Sequence, residues 1–283
     1  MTSRRNFLRN AGAGAFAATL SPMISNAESA ASTTAAAAKP DLFTVGIAGY
    51  TFYGYKDNLD KTIDVIKTVG VKEVSLKNFQ LPYDSTQEQT DRILAKFNAA
   101  GISVYGVGVV SMKTEKEVNE AFPYAQKARV KVIIAAPSYE MLPLVEQKAK
   151  EHNIRVAIHN HGPEDKLFPD VDVIYEKIKG LDPLVGICLD IGHSYRNGND
   201  PTEMLLKYKS RIYDMHIKDI DRPVAEGKTV VNGHGGIDFP RLVKALRKVK
   251  YSGSCSLEYE YPEPALGIAE SLGHFRGVIA AVK

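Results

Sequence analysis

Histidines and carboxylates gather at four points in the chain, each time at the end of a short apolar run. The four segments are Ile158-His159-Asn160-His161, Leu189-Asp190-Ile191-Gly192-His193, Met215-His216-Ile217-Lys218-Asp219 and Leu257-Glu258-Tyr259-Glu260. An exchangeable divalent cation binds carboxylate oxygens and imidazole nitrogens from separate elements and keeps positions open for substrate oxygens. Asp190, His216 and Glu258 supply such a set, and His159 is a candidate fourth ligand. The residue types therefore predict a divalent metal site.

The elements that must position these residues alternate regularly from residue 42 onward. Short β-branched runs typical of parallel strands are followed by segments of helical period. The predicted strands are 43–48, 73–76, 103–109, 132–136, 155–159, 185–190, 212–216 and 254–258. Helical patterns cover 61–67, 87–100, 115–128, 140–151, 174–179, 239–249 and 263–282. Eight strand-helix units in about 240 residues predict a single (β/α)₈ TIM barrel over residues 42–283.

An open doubly wound sheet is the main alternative fold. Such a sheet normally has fewer units and a glycine-rich phosphate turn after its first strand, which Gly46-Ile47-Ala48-Gly49-Tyr50 does not provide. In a barrel the active site lies at the carboxyl ends of the strands, where the four polar segments fall. The barrel therefore accounts for both the strand count and the position of the polar residues.

The two cysteines are predicted to point away from each other. Cys188 lies two residues before Asp190, whereas Cys255 lies three residues before Glu258. Side chains alternate along a strand, so Cys188 should face the barrel interior and Cys255 its outside. We therefore expect two buried thiols rather than a disulfide.

The N-terminal segment has the features of an export signal. Arg4-Arg5 precedes Phe7-Leu8, a short run rich in Ala and Gly follows, and Ser25-Asn26-Ala27 offers small residues for cleavage. The pattern resembles a twin-arginine signal peptide over residues 1–27, with a flexible lead-in over 28–41. It predicts export, in bacteria to the periplasm. A disordered basic tail is the alternative interpretation.

The charge balance argues against two classes of partner. Residues 1–27 contain three arginines and no acidic residue, so the remainder holds 33 basic and 33 acidic residues. The basic excess therefore lies in the signal segment, and the sequence predicts neither a nucleic-acid nor a membrane partner. It does not predict an oligomeric state.

The polar segments resemble the sugar phosphate isomerase/epimerase family of the xylose isomerase-like TIM barrel superfamily, which includes tagatose epimerases and inosose dehydratases. In that family strands five to eight contribute Glu, Asp, His and Glu to a metal, usually manganese. Asp190 with His193 matches its Asp-x-x-His motif, His216 its His-x-Lys-Asp strand, and Glu258 its last ligand. Residues 231–239 resemble its Gly-x-Gly-x-x-Asp-Phe segment, and residues 76–82 its strand-two lysine and loop. The resemblance implies Mn²⁺, with Mg²⁺, Co²⁺ or Zn²⁺ as alternatives.

One ligand position departs from the family pattern. His159 stands where the epimerases have a glutamate that also acts as acid and base, so a mechanism with two opposed carboxylates is incomplete here. A neutral imidazole still binds a metal and leaves the cation more Lewis-acidic.

The implied chemistry is proton abstraction next to a carbonyl, with the cation stabilising the enediolate that develops. Glu258 is the predicted base, and Lys77 and Lys218 are predicted to neutralise oxyanion charge. His161 and His193 are predicted to orient substrate hydroxyls or shuttle protons. His161 as a structural histidine and the lysines as salt-bridged rim residues are the alternatives.

Three functions follow from these residues. The first is a sugar isomerase or epimerase. The second is a lyase or dehydratase that eliminates a β-leaving group from a keto-sugar or keto-glycoside. The third is an exported sugar-binding barrel without turnover. All three have a small carbohydrate as ligand.

Overall fold

The computed structural model describes residues 40–261 and 264–283, which contain a closed barrel of eight parallel strands. The strands are β1 (Thr44–Ala48), β2 (Glu73–Leu76), β3 (Ser103–Met112), β4 (Val132–Pro137), β5 (Arg155–His159), β6 (Val185–Asp190), β7 (Ile212–Ile217) and β8 (Ser254–Leu257). Each strand pairs with its neighbours in the chain, and β8 pairs with β1. The predicted (β/α)₈ barrel is confirmed, and the open sheet is excluded because β1 has a partner on both sides.

Nine α-helices connect the strands within the described residues. They are α1 (Leu59–Thr68), α2 (Gln87–Ala99), α3 (Glu115–Lys127), α4 (Leu142–His152), α5 (Val171–Ile178), α6 (Ile191–Arg196), α7 (Pro201–Tyr208), α8 (Phe239–Lys248) and α9 (Ala265–Ala281). The helical pattern did not identify α6 and α7, which both follow β6. They have six and eight residues, too few to show a clear helical period.

Side chains in the preceding loops fix where the helices begin. The hydroxyls of Thr86 and Thr114 accept hydrogen bonds from the third residue of α2 and α3, and the side chains of Gln89 and Glu117 bind back to the cap N–H groups. These two capping boxes satisfy amide groups that a helix start otherwise leaves unpaired. Asp200 and Asp238 cap α7 and α8 in the simpler way, with one carboxylate accepting from the first turn.

The hydrophobic core has two parts. The larger part fills the space between strands and helices and includes Cys255. A small inner cluster contains Ala157 and Cys188, which lie two residues before inward-facing site residues. Both thiols are buried and free, as predicted, and burial raises the pKa of each well above its usual value.

Two short features at the carboxyl end of the barrel were not predicted. Gly49–Tyr55 forms 3₁₀ turns after β1, and Asp219–Ile220 pairs with Thr229–Val230 in an antiparallel ribbon after β7. Thr51 joins the first of these to β8, because its hydroxyl donates to Leu257 O and accepts from Tyr259 N, both at 3.1 Å. The loops around the barrel mouth are therefore tied to one another.

Residues 1–39, which include the predicted signal peptide and most of the lead-in, lie outside the described residues. Across the part of the chain that the structure describes, none of the helices combines the length and apolar character needed to cross a bilayer.

Candidate metal centre

The four predicted metal ligands meet at the carboxyl end of the barrel. His159, Asp190, His216 and Glu258 end or follow the adjacent strands β5, β6, β7 and β8, and each offers one donor atom within 4.8 Å of the other three. His159 Nε2 lies 3.0 Å from His216 Nδ1 and 3.4 Å from Asp190 Oδ2. His216 Nδ1 lies 3.3 Å from Glu258 Oε2 and 4.0 Å from Asp190 Oδ2. All four side chains are buried.

These separations fit a single divalent cation. Donor atoms held about 2.1 Å from one ion lie roughly 3.0–3.5 Å apart in octahedral or tetrahedral geometry. Asp190 Oδ2 is fully buried and accepts no well-aligned hydrogen bond, and the Lys218 ammonium lies 3.0 Å from it. Such an atom is costly unless a cation or another partner satisfies it. The donor set and its spacing are therefore those of a possible metal-binding group.

Asp190 is fixed by both of its neighbouring segments. Its Oδ1 caps α6 by accepting from His193 N at 2.8 Å, which leaves Oδ2 to face the other ligands. Asn160 accepts from Asp190 N at 2.9 Å and donates to Asp190 O at 3.0 Å. The Asp-x-x-His spacing is thus a helix cap, and the asparagine of His-Asn-His aligns β5 with β6.

Burial and charge hold three of the four candidate ligands in the forms that bind a cation. Burial raises the pKa of Asp190 and of Glu258, but nearby cationic groups, above all the Lys218 ammonium, lower both, and the net shift is downward. Burial also lowers the pKa of His159 well below its usual value, so its imidazole is neutral. The pKa of His216 shifts upward instead, because the negative charges of Glu258 and Asp214 outweigh the effect of burial. Both carboxylates are therefore ionised at neutral pH.

Lys218 was predicted to bind substrate, and its ammonium lies directly against the ligands. Lys218 Nζ is 2.8 Å from Glu258 Oε2, 3.0 Å from Asp190 Oδ2 and 3.1 Å from Glu260 Oε1, and the residue is only 1% exposed. The three carboxylates raise its pKa well above the usual value despite burial. Three carboxylates and one ammonium leave two negative charges, which a divalent cation would neutralise.

Beneath His216 lies a buried carboxylate with a chain of hydrogen-bonded hydroxyls, which the sequence analysis did not identify. Its Nε2 lies 3.7 Å from Asp214 Oδ2, and Tyr105 donates from its hydroxyl to Asp214 Oδ1 at 3.1 Å. The Tyr105 hydroxyl is 2.7 Å from Ser256 Oγ, which is 2.9 Å from Ser254 Oγ. A carboxylate behind a ligating histidine orients the ring and raises its basicity. Burial raises the pKa of Asp214 to about 6.

The remaining predicted residues surround the cluster. The His161 and His193 rings lie 4.5 and 5.9 Å from the His159 ring, centre to centre, and burial lowers the pKa of both. His161 Nδ1 is 3.2 Å from Asp165 Oδ2. Lys77 follows β2 and donates to Val109 O at 2.6 Å, and burial lowers its pKa. The structure thus places His161 and His193 beside the cluster. Lys77 lies after a different strand, β2, at the same end of the barrel.

The Gly-x-Gly segment proves to be a structural element. The buried carboxylate of Asp219 accepts hydrogen bonds from the amides of Gly233, Gly235 and Ile237 at 2.9–3.2 Å. A β-carbon at Gly235 would lie 2.3 Å from Asp219 Oδ1, so glycine is required there. Asp219 therefore folds the loop that leads into α8 and leaves the neighbouring Lys218 free to face the ligands.

Comparison with known proteins connects this geometry to a family. The sequence pattern of the xylose isomerase-like TIM barrel family matches residues 138–278, which include all four candidate ligands. The chain belongs to the xylose isomerase-like TIM barrel family. The resemblance predicted from the strand ends is therefore confirmed.

Relatives of this xylose isomerase-like barrel include named enzymes. An inosose dehydratase of Clostridium tetani is 33% identical over 129 residues, which is 40% of this chain and 42% of the relative. The rhizopine catabolism protein MocC of Rhizobium meliloti is 30% identical over 137 residues, which is 43% of this chain and 41% of that protein. The chain thus aligns with about two fifths of the length of these curated relatives.

A solved structure extends the similarity to the whole barrel. A putative uncharacterised protein of Parabacteroides distasonis superposes with a TM-score of 0.65 at 27% identity, over 83% of this chain and 99% of that one. The fold is thus shared over most of this chain and nearly all of the other.

Proposed function

We propose that this protein is a metal-dependent enzyme that removes a proton next to the carbonyl of a small sugar-like polyol. The observation that supports it most is the convergence of His159, Asp190, His216 and Glu258 at the carboxyl end of the barrel, with donor spacings suited to one divalent ion. That end carries the active site in barrels of this architecture. When bound there, a divalent cation polarises a substrate carbonyl and lowers the pKa of the adjacent C–H.

Residues of the chain supply the base, the cationic group and the proton-transfer groups. We assign the base to Glu258, because it is ionised and lies at the cluster. Its lowered pKa makes it a weak base, so the proton it takes must itself be acidified. We assign to Lys77 the neutralisation of negative charge that develops on the substrate oxygen. Burial of the ammonium strengthens this interaction. His161 and His193 bind substrate hydroxyls and transfer the second proton.

Elimination is the outcome that the chain supports best. In this reaction Glu258 takes the α-proton, the C–H electrons form the double bond, and the β-hydroxyl leaves as water with a proton from a rim histidine. A single carboxylate base suffices for it, and His159 stands where a second carboxylate would be needed for two-sided proton exchange. Two relatives of the chain are named inosose dehydratases, and a dehydration is an elimination of this class. The proposed product is an unsaturated or diketo polyol.

Isomerisation or epimerisation, the function predicted first from the sequence, is the second candidate. A single base can remove a proton and return it to a neighbouring carbon, and Glu258 meets that requirement without a second carboxylate. The two outcomes differ in whether water is lost, so one experiment distinguishes them.

The experiment incubates metal-loaded protein with inososes, ketoses and keto-glycosides in deuterated water and follows the products by NMR. Loss of water with a new vinylic or diketo signal supports elimination, whereas deuterium incorporation without loss of water supports isomerisation. Glu258→Gln should abolish either reaction, and Glu120→Gln, which changes an exposed carboxylate on α3, serves as the matched control. No exchange and no product from any substrate would leave the sugar-binding barrel as the function.

The identity of the metal is part of the same proposal. Two imidazoles and two carboxylates suit Mn²⁺, Co²⁺ or Zn²⁺, whereas Mg²⁺ prefers oxygen ligands alone. We propose Mn²⁺ on the family resemblance. A solved structure of the IolI protein with a bound zinc atom shares the fold at a TM-score of 0.70 and 17% identity, over 85% of this chain and 99% of that one. Parallel reconstitution with Mn²⁺, Co²⁺, Zn²⁺ and Mg²⁺, followed by activity and affinity measurements, tests the choice.

We also propose that the protein is exported by the twin-arginine route and acts in the periplasm. The support is the order of features in residues 1–27 and the balanced charge of the remainder. Replacing Arg4 and Arg5 by lysine should retain the protein in the cytoplasm, as measured by cell fractionation and N-terminal sequencing. Equal periplasmic yield from the altered protein would contradict the proposal.

A further inference from the structure

A pocket lined mainly by tyrosines lies beside the metal centre. It has a volume of about 370 Å³ and is lined by Tyr50, Tyr53, Tyr259, Tyr261, Lys56 and Glu260. Three of these are among the most exposed large aromatic residues that the structure describes, with Tyr50 at 39%, Tyr53 at 53% and Tyr261 at 43%. We call this group the tyrosine pocket. Exposed aromatic clusters of this kind are costly in water and commonly mark binding surfaces.

The rings of the tyrosine pocket are held in place by their neighbours. Tyr50 and Tyr53 pack with ring centres 5.7 Å apart, and Tyr259 and Tyr261 with centres 4.9 Å apart. The Tyr261 hydroxyl donates to Thr229 O at 2.5 Å. Because the side chains are already ordered, a ligand that stacks on them loses little of its binding energy to fixing their rotamers.

The pocket adjoins the metal centre through shared contacts. Glu260 lines the pocket and also contacts Lys218 Nζ, which in turn contacts the candidate ligands Asp190 and Glu258. Lys77 Nζ lies 5.9 Å from the centre of the Tyr50 ring. The pocket is therefore placed to contact a part of the substrate that extends beyond the reacting sugar.

We propose that the tyrosine pocket is a subsite for a second ring that is glycosidically joined to the reacting sugar, so that the natural substrate is a glycoside. Pyranose and aryl rings both present a flat apolar face, which stacks on tyrosine, and Glu260 and Lys56 supply polar partners at the edge. This inference rests on the proposed function for the identity of the reacting sugar, but its test requires no turnover.

The test measures affinity in metal-loaded protein by calorimetry with three probes of increasing size. Methyl β-glucoside lacks a second ring, cellobiose adds a pyranose, and phenyl β-glucoside adds an aryl ring. We expect one or both larger probes to bind about tenfold more tightly than the methyl glycoside. The probe that gains affinity identifies the kind of ring.

Two variants assign any gain to the pocket. Tyr53→Ala and Tyr50→Ala should each remove most of the preference for the larger probes and leave methyl β-glucoside unchanged. Tyr83→Ala is the matched control, because Tyr83 is similarly exposed at 42% but lies outside the pocket. Retained preference in both pocket variants would overturn the proposal.

The proposal would also fail if the three glycosides bound equally, or if none bound. Either result leaves the deuterium-exchange experiment with monosaccharides unaffected, because that experiment reports on Glu258 and the metal. Conversely, a size preference lost in Tyr53→Ala would support the subsite even if no exchange were found.

Discussion

The two halves of the barrel mouth differ in chemistry. Strands β5 and β6 end in the buried residues His159 and Asp190, while the buried His216 and Glu258 lie within one residue of the ends of β7 and β8. Strands β1 to β4 end in Ala48, Leu76, Met112 and Pro137. Lys77 and the exposed tyrosines 50 and 53 lie beyond the ends of the second group. The family match of residues 138–278 covers the charged half and stops short of the other. In the proposed function, the charged half would hold the metal, and the other half would contribute Lys77 and two tyrosines to substrate binding.

The largest effect expected is on the charged half. Asp190→Asn removes one of the two ligating carboxylates while keeping its size. Metal affinity should fall by more than the roughly 10–100-fold that loss of an outer-shell partner costs. Equilibrium dialysis and metal analysis measure it. Asp165→Asn, at the rim carboxylate beside His161, is the control and should retain full occupancy. Normal metal binding by Asp190→Asn would remove the basis for the division between the halves.

A change in the other half should separate chemistry from metal binding. Lys77→Met removes the ammonium that we assign to oxyanion charge. Turnover should fall about 100-fold, with metal affinity unchanged. Steady-state kinetics and metal titration test the two parts, and Lys67→Met on the exposed face of α1 is the control. If metal affinity fell together with turnover, the two halves would not be functionally distinct.

A smaller effect is expected from the layer beneath the metal. Asp214→Asn weakens the support of His216, and metal affinity should fall about 10–100-fold. Tyr105→Phe removes only the hydroxyl that holds Asp214 and should have a weaker effect in the same direction. Metal titration of both variants gives the comparison. An unchanged dissociation constant in Asp214→Asn would mean that His216 is oriented by packing alone.

The smallest effect is expected at His234, which lies within the charged half but away from its site. Its imidazole forms an exposed pair with Glu270. Such pairs contribute about 0–1 kcal/mol, so His234→Ala should change the free energy of unfolding by less than about 0.5 kcal/mol and leave metal affinity intact. Chemical denaturation measures the first quantity. A loss of metal affinity would assign His234 to the site.

The polar residues at the carboxyl ends of the strands were the part of the protein that could be predicted best from the sequence. Parallel strands in a barrel have runs of buried β-branched residues, and polar residues that follow such runs are conspicuous. For that reason His159, Asp190, His216 and Glu258 were identified together. The alternation of side chains also held a signal that was not used, because Asp214 lies two residues before His216 and Lys218 two residues after it. In the structure Asp214 lies 3.7 Å from His216, and Lys218 contacts Glu258.

Other features depend on contacts between residues far apart in the chain. Tyr105 meets Asp214 across 109 positions and lies in a strand rich in glycine and valine, so nothing local indicates its partner. The tyrosine pocket combines loops after β1 and β8, which approach only when the barrel closes. The short helices α6 and α7 were missed for a different reason, because six and eight residues are too few to show a helical period. Asp190 was predicted as a metal ligand, and its position as the cap of α6 was not predicted.

Lys218 has a consequence for how the protein assembles. Its ammonium is attached to β7, so it reaches Asp190 and Glu258 as soon as β6, β7 and β8 pair, whatever the concentration of free ions. We therefore expect the barrel to fold without the proposed metal, in contrast to small zinc domains whose folding energy comes from the ion. A chelator should yield a folded protein that takes up the ion again. On the proposed function, metal loading would then follow folding and would be reversible.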